Sequence, residues 1–223
     1  MKNLFIKKDT DVKTNIKTET KTKTKISKVT KTPKIQKNIQ EEKHKVWEIT
    51  SYKRCSSKFV ESNVKEYTLA KLLKELEHDK GYHMRIDPCK KYIVFGDCDC
   101  FRGSFSEFAN LFIRFMHTHY QIQIKIADIS YTINESKPGS YHYSVPKFHA
   151  SAKKLKEIHQ NFFKKYEDIF SYEDQDGKRQ IVVDTSIYGT KWFRYPGQTK
   201  ECVPKTEHQI HGGQMIDFVV EHL

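Results

Sequence analysis

The chain has 223 residues, room for one ordinary domain or for one domain and a tail. Its formal charge of +12 is unevenly spread: residues 1–46 hold fourteen Lys against five Asp or Glu, a net of +9, so the remainder carries only +3 and is not a strongly basic body. Cys55, Cys89, Cys98, Cys100 and Cys202 form an odd set without framework spacing, and no apolar run approaches the ~18 residues of a membrane span. These features exclude a disulfide-stapled scaffold and a membrane-spanning chain, and predict an intracellular protein with reduced thiols.

Residues 7–46 are a Lys/Thr tract containing "KTNIKTETKTKTKISKVTKTPKIQK". Too few large apolar residues are present to offset the entropy of ordering, so residues 1–46 are expected to be a disordered basic tail. Such lysines either tether the protein to a polyphosphate through counterion release or form a solvated extension. From residue 47 onward the composition is that of a folded domain.

"TLAKLLKELEHDKG" puts Leu69, Leu72, Leu73 and Leu76 on one helical stripe, with Thr68 as N-cap and Gly81 just past the end. "YHMRI" and "KYIVFGD" read as strands, the second of them buried. "SFSEFANLFIRFMHTHY" is an amphipathic helix with Phe108, Leu111, Phe112, Phe115 and Met116 inward. Residues 121–133 alternate as a strand, "KPGS" turns the chain into the strand "YHYSVP", and "SAKKLKEIHQNFFKKYEDIF" is a basic amphipathic helix. "EDQDGKR" is a turn feeding the strand "QIVVD", and "GQMIDFVVEHL" is helix-like. Strands and helices intermix throughout residues 47–223, which predicts an α/β (α+β) domain with some strands joined by short turns.

"VFGDCDC" ends a buried run in two aspartates two apart, so a strand would project Asp97 and Asp99 to one face. Asp184 ends another strand, and "GSYHYSV" sets Ser140, His142 and Ser144 on one face of a third. Three carboxylates at adjacent strand ends suit a hard divalent cation, and a Ser beside a His suits a phosphate oxygen. After Asp184, "TSIYGTKWFRYPGQTK" interleaves Tyr188, Lys191, Trp192, Phe193, Arg194 and Lys200, cations and aromatics that could hold phosphates while stacking a base.

The order "DCD", "SYH", then "VVD" trailed by "IY", "KWFR" and "TK" resembles the three motifs of the archaeo-eukaryotic primase superfamily: DxD/E, SxH and hydrophobic-Asp with a basic trailer. The likeness is closest to primases of nucleocytoplasmic large DNA viruses and to primase-polymerases. It covers roughly residues 66–223. It implies a primase-like catalytic core with a mixed sheet and flanking helices, making or extending primers on single-stranded DNA by two-metal nucleotidyl transfer. Asp97, Asp99 and Asp184 would hold two Mg²⁺ or Mn²⁺ ions and carry catalysis. Ser140 and His142 would contact the nucleoside triphosphate, and Lys191, Arg194 and Lys200 the nucleotide phosphates or template. Lys191 stands where an Arg is usual in the family. Cys98 and Cys100 are then packing residues on the opposite face. A structural zinc at Cys202, His208 and His211 is the disfavoured alternative, since no paired second Cys is present. The expected partners are single-stranded DNA template, nucleoside triphosphates, and a helicase (fused or separate) or second primase subunit, at a viral replication site if the source is viral. A degenerate single-stranded DNA-binding accessory protein is the competing function, and a two-metal nuclease a third.

Overall fold

A computed structural model of the chain describes residues 42–48, 64–189, 192–199 and 208–221. It is a mixed α/β fold of antiparallel sheets and three helices. In chain order come β1 (Lys43–Glu48), β2 (Val64–Thr68), α1 (Leu69–Glu75), β3 (Tyr82–Arg85), β4 (Lys91–Cys98) and α2 (Phe105–Tyr120). β5 (Ser130–Ile133), β6 (Tyr141–Ser151), α3 (Ala152–Lys165), β7 (Ser171–Glu173) and β8 (Arg179–Ile181) follow. β9 (Val183–Asp184), β10 (Trp192–Arg194) and β11 (Gln209–Gly212) complete the set. Two larger sheets, β10-β3-β1-β2 and β11-β5-β6-β4-β9, accompany a β7-β8 hairpin, and every pairing among the described residues is antiparallel.

The helices form where their caps and stripes dictate. Thr68 accepts from the Lys71 N–H at the start of α1. Ser104 and Glu107 close a reciprocal capping box on α2. From α2, Phe105, Phe108, Phe112, Phe115 and Met116 are buried, whereas Leu111 is half-buried at the edge of the stripe. α2 and α3 cover one face of the five-stranded sheet: Phe108 and Phe112 lie against Tyr143, at 5.0 and 5.6 Å between ring centroids, and Phe162 of α3 packs on both phenylalanines. Gly96 on β4 makes room for this layer, since a Cβ there would lie 2.3 Å from the Tyr143 ring.

A buried polar chain ties α3 to β4 and β6. The Leu155 carbonyl, 2.8 Å from His159 Nδ1, can only accept, so that nitrogen carries the hydrogen. His159 Nε2 then accepts from the Tyr143 hydroxyl at 2.6 Å. Tyr188 lies 3.0 Å from His159 Nδ1 and donates to the Phe95 carbonyl on β4. Burial holds the His159 pKa down at about 4. A depressed folded-state pKa means stability that is present above about 6.5 and is lost as pH falls toward 4, by ~3 kcal/mol at full protonation. Urea unfolding at neutral and acid pH should show this limb, and His159→Gln should flatten it. An equally steep limb in the variant would assign the loss elsewhere.

Several elements depart from the pattern in the sequence. β1 begins at Lys43, so residues 43–46, expected in the tail, are a sheet strand with His44 and Val46 buried. The rest of the expected tail lies outside the described residues. The long strand expected over 121–133 is restricted to Ser130–Ile133. The Asp128 carboxylate accepts from the Lys125 N–H and closes a 3-10 turn at Ile126–Asp128, a local bond that competes with a sheet ladder. β6 runs on through Pro146 to Ser151 because Pro146–Phe148 fall in a register shift opposite Ile93/Val94, where a missing N–H costs nothing. "QIVVD" splits at Val182, whose backbone bonds Phe170 and Asp99 rather than a ladder. Met215–Phe218 is a 3-10 turn leading to buried Val219 and Val220, and the Val220 carbonyl accepts from Ile93 N–H. Among the described residues no helix is long and apolar enough to cross a membrane.

Candidate active site

β4 is flanked by β6 on one side and β9 on the other, and the register sets Asp97 directly opposite both His142 and Asp184. Residues paired across an antiparallel ladder share a face, so one row across three strands reads His142, Asp97, Asp184. The face is the one turned away from α2 and α3. Phe95, one step earlier on it, packs on Phe193 of the four-stranded sheet at 4.9 Å.

Asp97 keeps 20% of its side chain exposed, yet burial, with Asp99 and Asp184 close by, pushes its pKa well up from the ordinary carboxylate range. Asp184 instead turns one oxygen onto the Ser186 N–H at 2.7 Å. Asp99 lies one residue past the end of β4. Its N–H donates to the Val182 carbonyl at 2.7 Å, and its Oδ1 accepts from Lys137 Nζ at 2.5 Å and from Ser140 Oγ at 3.0 Å. The same Ser140 oxygen accepts the Cys100 N–H at 3.2 Å. Thus Ser140 is buried and braces the Asp99 loop, while the Lys137 ammonium faces the carboxylate. Lys137 sits in the β5–β6 turn, which is closed by Lys137 N–H to Asn134 carbonyl and Ser140 N–H to Lys137 carbonyl bonds.

His142 is buried between two rings: His208 stacks on it at 3.9 Å and 17°, and Phe193 lies at 4.8 Å. Its Nε2 is 3.9 Å from Asp97 Oδ1, and its Nδ1 has no hydrogen-bond partner among the described residues. Burial first, then the His208 and Arg194 neighbours, hold His142 well below its usual pKa, so it is neutral at pH 7. Thr132 fixes the pair, accepting the His142 N–H at 3.1 Å and bonding His208 Nδ1 at 3.0 Å. Burial, and then Arg194, bring His208 to about 3. Arg194 is half-buried, and its charge also favours the ionised form of Asp97.

The row therefore assembles Asp97, Asp99, Asp184, Ser140, His142 and Arg194 within one region, brings in His208 from the disfavoured zinc set, and adds Lys137. Lys191, Lys200 and Cys202 lie outside the described residues. Two expectations change. Tyr188 and Phe193 are buried core rings rather than an exposed stacking platform, because the short β10 turns Phe193 inward against Phe95 and His142. Cys98 is buried, with its thiol pushed well up by burial, but Cys100 is half-exposed in a left-handed loop conformation (φ 56°) rather than packed.

Among the described residues no group of three His, Cys, Asp or Glu side chains is set to hold a metal ion, and Asp99 faces the Lys137 ammonium. The donor chemistry nonetheless fits a hard divalent cation. Asp97 and Asp184 oppose each other as oxygen donors, and the Asp97 pKa is raised by burial and then by the neighbouring Asp99 and Asp184 charges, which a cation would offset. Lys137 and Asp99 are both nearly half-exposed, so their pair is worth at most ~1 kcal/mol. Lys137→Ala should accordingly tighten Mn²⁺ binding by up to about fivefold in isothermal titration; an unchanged Kd would mean that the ammonium does not compete.

No protein-family model matches the chain, and no curated protein matches it.

Proposed function

We propose that the domain is the catalytic core of a primase-type nucleotidyltransferase that makes or extends primers on single-stranded DNA. The observation that carries this reading is the register that aligns His142, Asp97 and Asp184 across three strands, with Asp99 and Ser140 at the next turn. It joins the carboxylates and the phosphate-binding pair that the sequence motifs imply.

The chemistry that Mg²⁺ or Mn²⁺ supplies when held by Asp97, Asp184 and Asp99 is charge neutralisation at the attacking 3′-oxygen and the leaving pyrophosphate. The protein's own part is positional. Asp99 joins the other two carboxylates on releasing Lys137, while Ser140 keeps its loop in place. His142, neutral and held by Thr132 and the His208 stack, sets its imidazole as one wall of the nucleotide position. Arg194 supplies a fixed positive charge beside it. No covalent protein nucleophile is required, which agrees with the inert environment of Cys98.

The direct test is synthesis of labelled oligonucleotides on single-stranded DNA with nucleoside triphosphates and Mg²⁺ or Mn²⁺. New or extended strands support the reading. DNA binding without product would favour the accessory-protein reading, and triphosphate-independent cleavage would favour a nuclease. His142→Gln should raise the KM for nucleotide about tenfold with a smaller change in kcat. A fall in kcat with KM unchanged would give His142 a role only in the transition state, and no change in either would return it to the core.

A further inference from the structure

The four-stranded sheet has one face in the core, formed by Val46, Tyr82, Met84 and Phe193. Its other face is composed differently. Trp47 is opposite His83, His83 opposite Arg194, and Arg85 opposite Trp192, so these residues share a side with Lys45. Trp47 and Trp192 are half-buried and meet edge to face at 5.3 Å, and the Arg85 guanidinium lies 5.8 Å from the centre of the Trp192 ring. Lys45 and Arg85 are exposed. Among the described residues the single acidic strand residue on this side, Glu66, has Lys45 at 3.6 Å. The same strand β10 that turns Phe193 onto His142 carries Trp192 and Arg194 on this face, so one strand contributes to both the surface and the candidate active site.

We infer that this face of the β10-β3-β1-β2 sheet is a docking surface for single-stranded DNA, with the two tryptophans stacking bases and Lys45 and Arg85 holding phosphates. Half-exposed indoles interleaved with cations fit a flexible polyanion that carries planar rings, since each base presents a π-face whatever its sequence. An acidic protein would satisfy the cations but leave the indoles without flat partners. The choice of nucleic acid over such a protein rests also on the nucleotidyl-transfer reading, because β10 contributes to both places.

The chain contains only two tryptophans, and both are on this face, so intrinsic fluorescence reports it selectively. The experiment titrates the full-length protein with an end-labelled oligothymidylate, reading label anisotropy and tryptophan emission together. The expected result is emission quenching with the same midpoint as the anisotropy change. Arg85→Glu, an exposed position whose fold is checked by thermal unfolding, should weaken both about tenfold and reduce their salt dependence. Three outcomes would overturn the inference: DNA binding with unchanged tryptophan emission, quenching by polyglutamate equal to that by DNA, or no binding. Quenching without primer synthesis would leave the surface standing and remove the nucleotidyl-transfer reading; synthesis without quenching would do the reverse.

Discussion

Asp97→Asn and Asp184→Asn should each lower nucleotide incorporation by roughly 10²–10³-fold or more, while the Asp97 variant should fold more stably than the parent in the absence of divalent ions. The two effects have one cause. Asp97 is desolvated beside two other carboxylates, so its ionised form is disfavoured in the folded protein. A carboxyl whose folded-state pKa is raised contributes stability below its unfolded value of about 4, and that stability is lost as pH rises through the folded value. The Asp97→Asn substitution removes the penalty, so the stability gained over the parent in the absence of metal should grow between pH 4 and neutrality, on top of the opposite His159 limb that both proteins share. The gain should be at least about 1 kcal/mol, which is ~2–4 °C in Tm for a chain of this size. Calorimetry across that pH range, with incorporation assays in parallel, separates the outcomes. Full activity in either variant would remove the metal assignment, and an unchanged pH profile in Asp97→Asn would mean that its carboxyl is not desolvated.

Gly139→Ala is the substitution with the largest expected structural effect. Gly139 has φ +77°, and a Cβ built there would lie 2.1 Å from the Phe101 carbonyl oxygen, a backbone atom that cannot rotate away. The same two residues are joined by the Phe101 N–H to Gly139 carbonyl bond at 2.9 Å. The left-handed conformation alone costs about 1–2 kcal/mol for an alanine, and the overlap a further ~1–3 kcal/mol. The strain falls on the 99–101 loop, so the variant should lose nucleotide incorporation even where it remains folded. Gly177, φ +71° with nothing within 4 Å of a built Cβ, is the matched control: its alanine variant pays only the backbone cost and should stay active. Equal destabilisation at the two positions would show that the Phe101 contact does not matter.

Much of the local structure was legible because it is written in short-range chemistry. The Thr68 cap and the phenylalanine stripe of α2 are patterns within a few residues, and α1 and α2 start where those patterns place them. β1 was hidden because its exposed Lys43 and Lys45 share the composition of the tract before it, leaving only the inward His44 and Val46 as a signal. The apparent strand over 121–133 failed because alternation of Ile with polar residues says nothing about Asp128 closing its own turn. For the candidate site, strand-end position and spacing pointed to Asp97, Asp184 and His142, but the pairing that aligns them joins distant segments. The Lys137 ammonium on Asp99 and the His208 ring on His142 are likewise long-range contacts, without a local mark in the chain. Trp47 and Trp192 come together only because β3 lies between their strands.

The most direct measurement is Mn²⁺ binding to the full-length protein, followed by isothermal titration, with the Asp97→Asn/Asp184→Asn double variant alongside. The account predicts saturable binding to the parent that is lost in the double variant, with the variant still folded by its thermal transition. Absence of binding to the parent, or equal binding by the two proteins, would contradict it.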